Sequence, residues 1–340
     1  MTFKKPYVVY IGNATHINQL KMATSVLHFC PHDCVGVIAA PTARVELDVT
    51  YVTLQQAKAL GAQSMVIGMA NNGGYIQSNW ISDIVQAIKL QFDIISGMHE
   101  KLDDIYCEKN KKTLADLAMK HQVTLHNIRH PKQGIPVGTG KKRQGKRLLT
   151  VGTDCSSGKM FTALYLHNQL QVNQKQSQFV ATGQCGILIA GTGIAIDAVA
   201  ADFISGAIES LTPAAQELTI IEGQGSLFHP AYAGVSLGLL HGAQPDYLIL
   251  CHDMSRKRLK NFDYPVPTIK DCIKLNVAMA KLTNPNCECI GISLNTATLT
   301  TTQAKQQIEL LSKQYKLPVT DPYRFGVDVF FQRLNQIGVI

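Results

Sequence analysis

The chain has 340 residues, of which 46% are hydrophobic and 16% charged, with a formal net charge of +8. That length accommodates two domains of ordinary size, and that balance excludes global disorder. No apolar run reaches the roughly 18 residues of a membrane span, and MTFKKPYVVYIGN at the start lacks a signal peptide's apolar length and cleavage site. A cytoplasmic protein without a membrane partner is therefore expected.

The first elements alternate. YVVYIG (7–12), VGVIAAP (35–41), SMVIGMA (64–70) and VTLHNI (123–128) are short β-rich runs that end in glycine, proline or polar residues. Helical patterns lie between them, and IVQAIKLQFDIISGMHEKL (84–102) predicts one helix. Such alternation argues for a parallel sheet with helices on its faces. GNATH (12–16), after the first strand, lacks the G-x-G-x-x-G fingerprint, which weakens an NAD-dependent oxidoreductase reading. HFCPHDC (28–34) gathers His28, Cys30, His32 and Cys34, but no second ligand pair follows at zinc-finger spacing, so a strand-flanking loop is expected there. The nine cysteines, an odd and scattered set, predict reduced thiols.

HPKQGIPVGTGKKRQGKR (130–147) then reads as an interdomain linker, dividing the chain into an N-terminal domain (1–130), a linker (131–147) and a C-terminal domain (148–340). Its basic run KKRQGKR has no interleaved aromatics, so no nucleic-acid partner is expected; a solvated segment that attracts anionic small molecules accounts for it. A second α/β series follows, with strands at LLTVG (148–152), QFVATG (178–183), ELTIIEG (217–223), DYLILCH (246–252), CIGISLN (289–295) and LPVTD (317–321). AIDAVAADFISGAIESL (195–211) has apolar residues at helical spacing through four turns, and Thr268 with Asp271 predicts a capping box for a later helix.

LLTVGTDCSSGKMFTALYL (148–166) is the most informative stretch, a strand, a glycine-rich loop and a helix start. In that context Gly152, Thr153, Asp154, Cys155, Ser156, Ser157, Gly158, Lys159 and Met160 form a cradle for an anion, with Lys159 as a point charge. The loop is one residue longer than G-x-x-x-x-G-K-[ST], and Met160 stands where a hydroxyl would hold Mg²⁺. A thioether is a poor ligand for that hard cation, so no resident metal is expected. An adenine nucleotide whose chemistry needs no metal, such as coenzyme A, suits the loop. Glu222, in IIEGQGS, falls at the carboxyl edge of the sheet, and Asn295, in GISLN, could read an adenine edge. The ordered motifs G-x5-G-K, h-h-E-G-x-G and G-h-x-h-N resemble the dethiobiotin synthetase branch of P-loop proteins over residues 148–325. That resemblance implies a P-loop NTPase-like domain in which Glu222 helps hold Mg²⁺ and Asn295 contacts adenine.

A wider resemblance spans nearly the whole chain. MVIGMANNGG (65–74), ISGMHEKL (95–102), RHPKQGIPVGTGKKRQGKRLLTVGTDCSSGKM (129–160), TGQCGILIAGTGIAIDAVAADFISGAIE (182–209), IEGQGSLFHPAYAGVSLGLLHGAQPDYLILCH (221–252) and GISLNT (291–296) resemble the D-glutamate N-acetyltransferase family. The resemblance implies an α/β protein with an N-terminal Rossmann-like parallel-sheet domain and a C-terminal P-loop NTPase-like α/β domain. It also implies transfer of an acetyl group from acetyl-CoA to the amino group of D-glutamate. In the family pattern threonine usually stands at Cys185 and valine at Ser157, a difference that bears on substrate preference. A homo-oligomer is expected.

Acetyl transfer needs a base for the amine, donors for an oxyanion and partners for the substrate carboxylates. His229, in GSLFHPAY, is the first candidate base, against a turn-bracing histidine. Glu222 could be the base or orient that histidine. Asp197 could orient the substrate amine or complement a helix dipole. His241, His252, His99, Asn71, Asn72 and Arg324 are lesser candidates at element ends, and Cys155 and Cys185 would serve only a covalent route. Two other classes compete: an ATP- and Mg²⁺-dependent carboxylate-activating ligase, with Glu222 and Asp154 holding the metal, and a non-catalytic nucleotide sensor.

Overall fold

The computed structural model describes residues 3–71, 73–131, 133–214 and 217–340; Asn72, a candidate ligand contact from sequence, lies outside the described residues. The chain forms two compact units, residues 1–131 with 183–198, and residues 132–182 with 199–340. The division departs from a single cut at a linker, because the segment Gly183–Ala198 packs with the first unit although it is encoded within the second half.

In the first unit β1 (Tyr7–Gly12), β2 (Cys34–Ala39), β3 (Ser64–Ile67) and β4 (Asp93–Ser96) precede a small antiparallel pair, β5 (Tyr106–Cys107) and β6 (Lys112–Thr113), and then β7 (Leu125–Asn127). The main sheet has the order β2-β1-β3-β4-β7 and is parallel throughout. β1, β3 and β4 are buried along their whole length, which is why they read as unbroken apolar runs rather than alternating ones. The inserted segment contributes a helix, Gln184–Ala190, that packs on the helix Lys21–Phe29. The single helix expected over 84–102 is instead a helix, Ile81–Lys89, followed by β4. Gln91 adopts a left-handed backbone just after the helix, and the β-branched pair Ile94–Ile95 then suits a strand.

The second unit holds β8 (Lys146–Gly152), β9 (Gln178–Val180), β10 (Leu218–Ile221), β11 (Tyr247–Asp253), β12 (Glu288–Asn295) and β13 (Val319–Thr320). Their order is β13-β12-β11-β8-β10-β9, again all parallel. β8 therefore sits where the strand order reverses, and its carboxyl end opens on the crevice that ligands of such sheets use. The helix expected over 195–211 forms only at Ile204–Leu211; Ile196–Ala198 and Ala201–Phe203 are separate 3-10 turns. Ala200 is extended between them, at the point where the chain passes from the first unit to the second. Thr268 caps the helix Ile269–Lys281 by accepting the Asp271 N–H, so half of the expected capping box is made.

The basic run leading into β8 is exposed at Lys141, Lys142, Gln144, Gly145 and Lys146, as a solvated segment should be, but its two arginines are tied into the fold. Arg147 is buried and donates to the carbonyls of Arg143, Gln144 and Gln244, while Arg143 donates to Gly242 and Ala243 at the end of the helix Ala233–Ala243. Its backbone is tied down as well, since Glu209 accepts the N–H groups of Thr139 and Gly140.

Candidate functional site

The phosphate loop runs from Gly152, at the end of β8, to the helix Lys159–Val172. Gly158 is that helix's N-cap at a φ of 99°, a conformation open to glycine at little cost, and no side chain caps the end. A helix start that follows a glycine-rich loop, with no capping side chain at its N-cap, is the arrangement that binds anions. The floor of the loop is glycine by necessity: a Cβ on Gly223 would lie 1.7 Å from the Thr150 carbonyl oxygen. The Gly223 N–H donates to Thr150 Oγ1, fixing the edge of β10 against β8.

Inside the loop the charges are arranged around one carboxylate. Asp154 is fully buried; Oδ1 accepts the Cys155 N–H at 2.6 Å, and Oδ2 accepts the Lys260 N–H at 2.8 Å and an Arg256 Nη1 donor. Arg256 also donates to the Cys155 carbonyl. Lys159, only 6% exposed, donates to the Asp154 carbonyl at 2.8 Å. Lys260 Nζ reaches Ser156 Oγ at 3.2 Å, and Ser157 Oγ donates to the Asp154 carbonyl at 3.0 Å. Lys159, Arg256 and Lys260 thus gather at the loop, where Arg256 is shared between the buried carboxylates of Asp154 and Asp253, and such clustered cations suit a polyanion.

The metal position is occupied otherwise. Met160 is 8% exposed, its side chain packed in the core, and Thr162 Oγ1 is committed to the Gly158 carbonyl and to Ser293 Oγ. Asp154, Cys155 and His229 offer ligand atoms within 4.8 Å of one another, the one such group among the described residues. Two of the three are already engaged: Asp154 Oδ2 takes the Arg256 guanidinium, and both His229 nitrogens are hydrogen-bonded. HFCPHDC does not form such a group, and burial, the chief cause, pushes the Cys34 thiol up to about 12.

His229 does not have the geometry of a base. It is 1% exposed; Nδ1 accepts the Ala231 N–H at 3.2 Å, leaving Nε2–H to donate to the Lys260 carbonyl at 3.1 Å. Tyr232 stacks on the ring with centroids 4.6 Å apart and Phe262 meets its edge. With both nitrogens taken, this side chain braces the loop that carries Arg256 and Lys260, and the expectation of a base at this position is corrected. Glu222 is also buried, its oxygens accepting the Thr182 N–H at 3.0 Å and Gln224 Nε2 at 3.1 Å. It lies at the end of β10, beside the loop, as its place in the sequence predicts.

His252 pairs through Nδ1 with Thr153 Oγ1 at 3.0 Å, and burial, ahead of its charged neighbours, holds its pKa below the ordinary value. It lines a pocket of about 430 Å³ with Arg256, Lys257, Val266, Leu311 and Tyr315. Asn295 ends β12 with its Oδ1 accepting the Ala297 N–H, and Arg324 braces the following turn through the carbonyls of Ala297 and Leu299. Asp197 and Cys185 belong to the first unit, where Asp197 pairs with Arg129 rather than starting a long helix, and Cys185 is buried in the helix Gln184–Ala190. His241 sits on the helix Ala233–Ala243. Arg256 and Lys260 escape a motif search, yet SRKRLK (255–260) directly follows the strand that flanks β8, and that basic run at a carboxyl edge is the signal that marks them.

Residues 35–131 match the family described as the DUF1611_N Rossmann-like domain of unknown function, and residues 136–331 its DUF1611_C P-loop domain. A protein of Pseudoalteromonas named D-glutamate N-acetyltransferase is 46% identical over 96% of this chain and 98% of its own. A protein of the same name from Tritonibacter scottomollicae is 42% identical over 94% of this chain and 96% of its own. The crystal structure of a DUF1611 family protein from Anabaena variabilis superposes with a TM-score of 0.84 at 28% identity, covering 98% of this chain and all of that one. No helix among the described residues is long and apolar enough to cross a membrane. Sequence, domain matches and fold agree: the chain belongs to the DUF1611 family, with the relatives named as D-glutamate N-acetyltransferases.

Proposed function

We propose that the chain transfers the acetyl group of acetyl-CoA to the amino group of D-glutamate, with the loop Gly152–Met160 holding the coenzyme diphosphate. The observation that carries this reading is the donor set of the loop. It offers helix N–H groups, Lys159, Arg256 and Lys260 to a diphosphate, and a buried thioether where a metal would need an oxygen. Acetyl-CoA supplies an activated acyl carbon. The neutral amine attacks it, a C–N bond forms, the C–S bond breaks, and the thiolate leaves while the amine gives up a proton. The full-length relatives named for this reaction support the substrate pair.

Glu222 beside the loop favours the second reading, an ATP- and Mg²⁺-dependent carboxylate-activating ligase. Asp154, the other carboxylate that reading needs, argues against it, because Arg256 already neutralises it. The deciding experiment follows acetyl-CoA loss and thiol release with D-glutamate, with and without a chelator. Chelator-insensitive thiol release is expected; ADP release that requires Mg²⁺ would replace this function with the ligase.

A further inference from the structure

The carboxyl edge of the first unit's sheet carries a second polar cluster that the phosphate loop does not use. β4 ends in Ser96 and leads to Gly97, Met98 and His99; β7 ends in Asn127 and leads to Arg129 and His130. The inserted segment Gly183–Ala198 adds Asp197 to the same place. Arg129 donates through Nη1 to the Gly97 carbonyl at 3.2 Å and through Nη2 to Asp197 Oδ2. His99 feels the charges of Arg129, Asp197 and His130, and Lys101 acts on His130.

Three atoms of this cluster are buried without a hydrogen-bond partner among the described residues: Arg129 Nε, Asp197 Oδ1 and His130 Nε2. Buried polar atoms of native proteins are rarely left so, and three in one cluster at a sheet's ligand-binding edge point to a ligand. Their chemistry specifies it. Asp197 Oδ1 can only accept, and so calls for an N–H donor such as an ammonium. Arg129 Nε can only donate, and so calls for an oxygen acceptor such as a carboxylate. One ligand that brings both is an amino acid, and Lys101, at the exposed rim, favours one with a second carboxylate.

We propose that this edge is the amino-acid subsite: Asp197 takes the α-amino group, Arg129 a carboxylate, and the rim at His99 and Lys101 the second carboxylate. The inference rests on the acetyltransferase reading for the identity of the amine, while the subsite itself is defined by binding. Asp197 and Arg129 then act as positioning and specificity residues for the acceptor, independent of the coenzyme loop.

The test titrates D-glutamate and, separately, coenzyme A into the wild type and into Asp197→Asn, Arg129→Lys and Lys101→Ala by calorimetry. Steady-state KM values for both substrates are measured alongside. Asp197→Asn and Arg129→Lys are expected to weaken D-glutamate at least tenfold, in Kd and in KM, with coenzyme A affinity within twofold. Lys101→Ala, exposed and safe for folding, is expected to weaken D-glutamate severalfold and leave D-alanine, which has no second carboxylate, unaffected. Unchanged D-glutamate affinity in all three variants, or equal losses for both substrates, would overturn the subsite. A wild type that binds D-glutamate here without transferring acetyl would leave the subsite standing and defeat the reaction. A wild type that neither binds nor acetylates D-glutamate would overturn both.

Discussion

Lys159 turns its ammonium back onto its own loop, 2.8 Å from the carbonyl oxygen of Asp154, the residue five positions before it. The ammonium is thereby held against the loop by an internal contact, at the place where the proposed diphosphate would meet it.

Lys159→Ala is accordingly expected to weaken coenzyme A binding about ten- to a hundredfold, the worth of one charge-assisted hydrogen bond of about 1.5–3 kcal/mol. Calorimetric titration checks this. An unaltered Kd would remove the diphosphate from this loop.

His229→Ala should act on stability before chemistry. It strips a partner from the Lys260 carbonyl and from the Ala231 N–H, and it removes a ring packed between Tyr232 and Phe262. A loss on the order of 3 kcal/mol is expected in urea unfolding, with coenzyme affinity reduced because the Arg256–Lys260 loop loosens. A variant of wild-type stability with abolished turnover would return the histidine to the role of base.

Met160→Thr tests the metal argument directly. Filling the position with a hydroxyl is expected to make ATP binding gain from added Mg²⁺, which the wild type should not show. The core pays about 2 kcal/mol for the lost methylenes and the buried hydroxyl. Mg²⁺-enhanced ATP binding by the wild type itself would contradict the reading of the loop.

Acid should destabilise the fold through its histidines. His28, His99, His126, His130, His167 and His252 all have pKa values held below the ordinary one, burial being the largest cause in each. The unfolded chain therefore takes up protons first as the pH drops below about 6.5, while the folded state resists. Stability is full above that value and declines as the pH falls toward the depressed folded pKa values. Thermal melts from pH 8 to 5 should be flat at first and then fall; a Tm that rises on acidification would refute this.

Much of the fold was legible because its strands are buried on both sides and so spell themselves as apolar runs; every main-sheet strand lies within or beside a predicted run except β4, which the helical pattern of 84–102 concealed. The phosphate loop was legible for a different reason, since glycine and lysine spacing is imposed locally by backbone geometry. What escaped depends on distant partners. Nothing local tells that Arg147 is buried against carbonyls contributed by residues as far away as Gln244, or that Asp197 meets Arg129 instead of capping a helix. His229 had the right residue type at the right edge, and only the positions of the Lys260 carbonyl and the Ala231 N–H reveal that its nitrogens are spent.

The excursion Gly183–Ala198 has a bearing on how the gene can be cut. A fragment ending at Pro131 would strip the helix Lys21–Phe29 of the helix that covers it and leave the Arg129 guanidinium without its counter-ion. Neither half is then a complete inheritance: the two parts of this chain could not have been shuffled between proteins as independent cassettes without carrying that hairpin of sequence along.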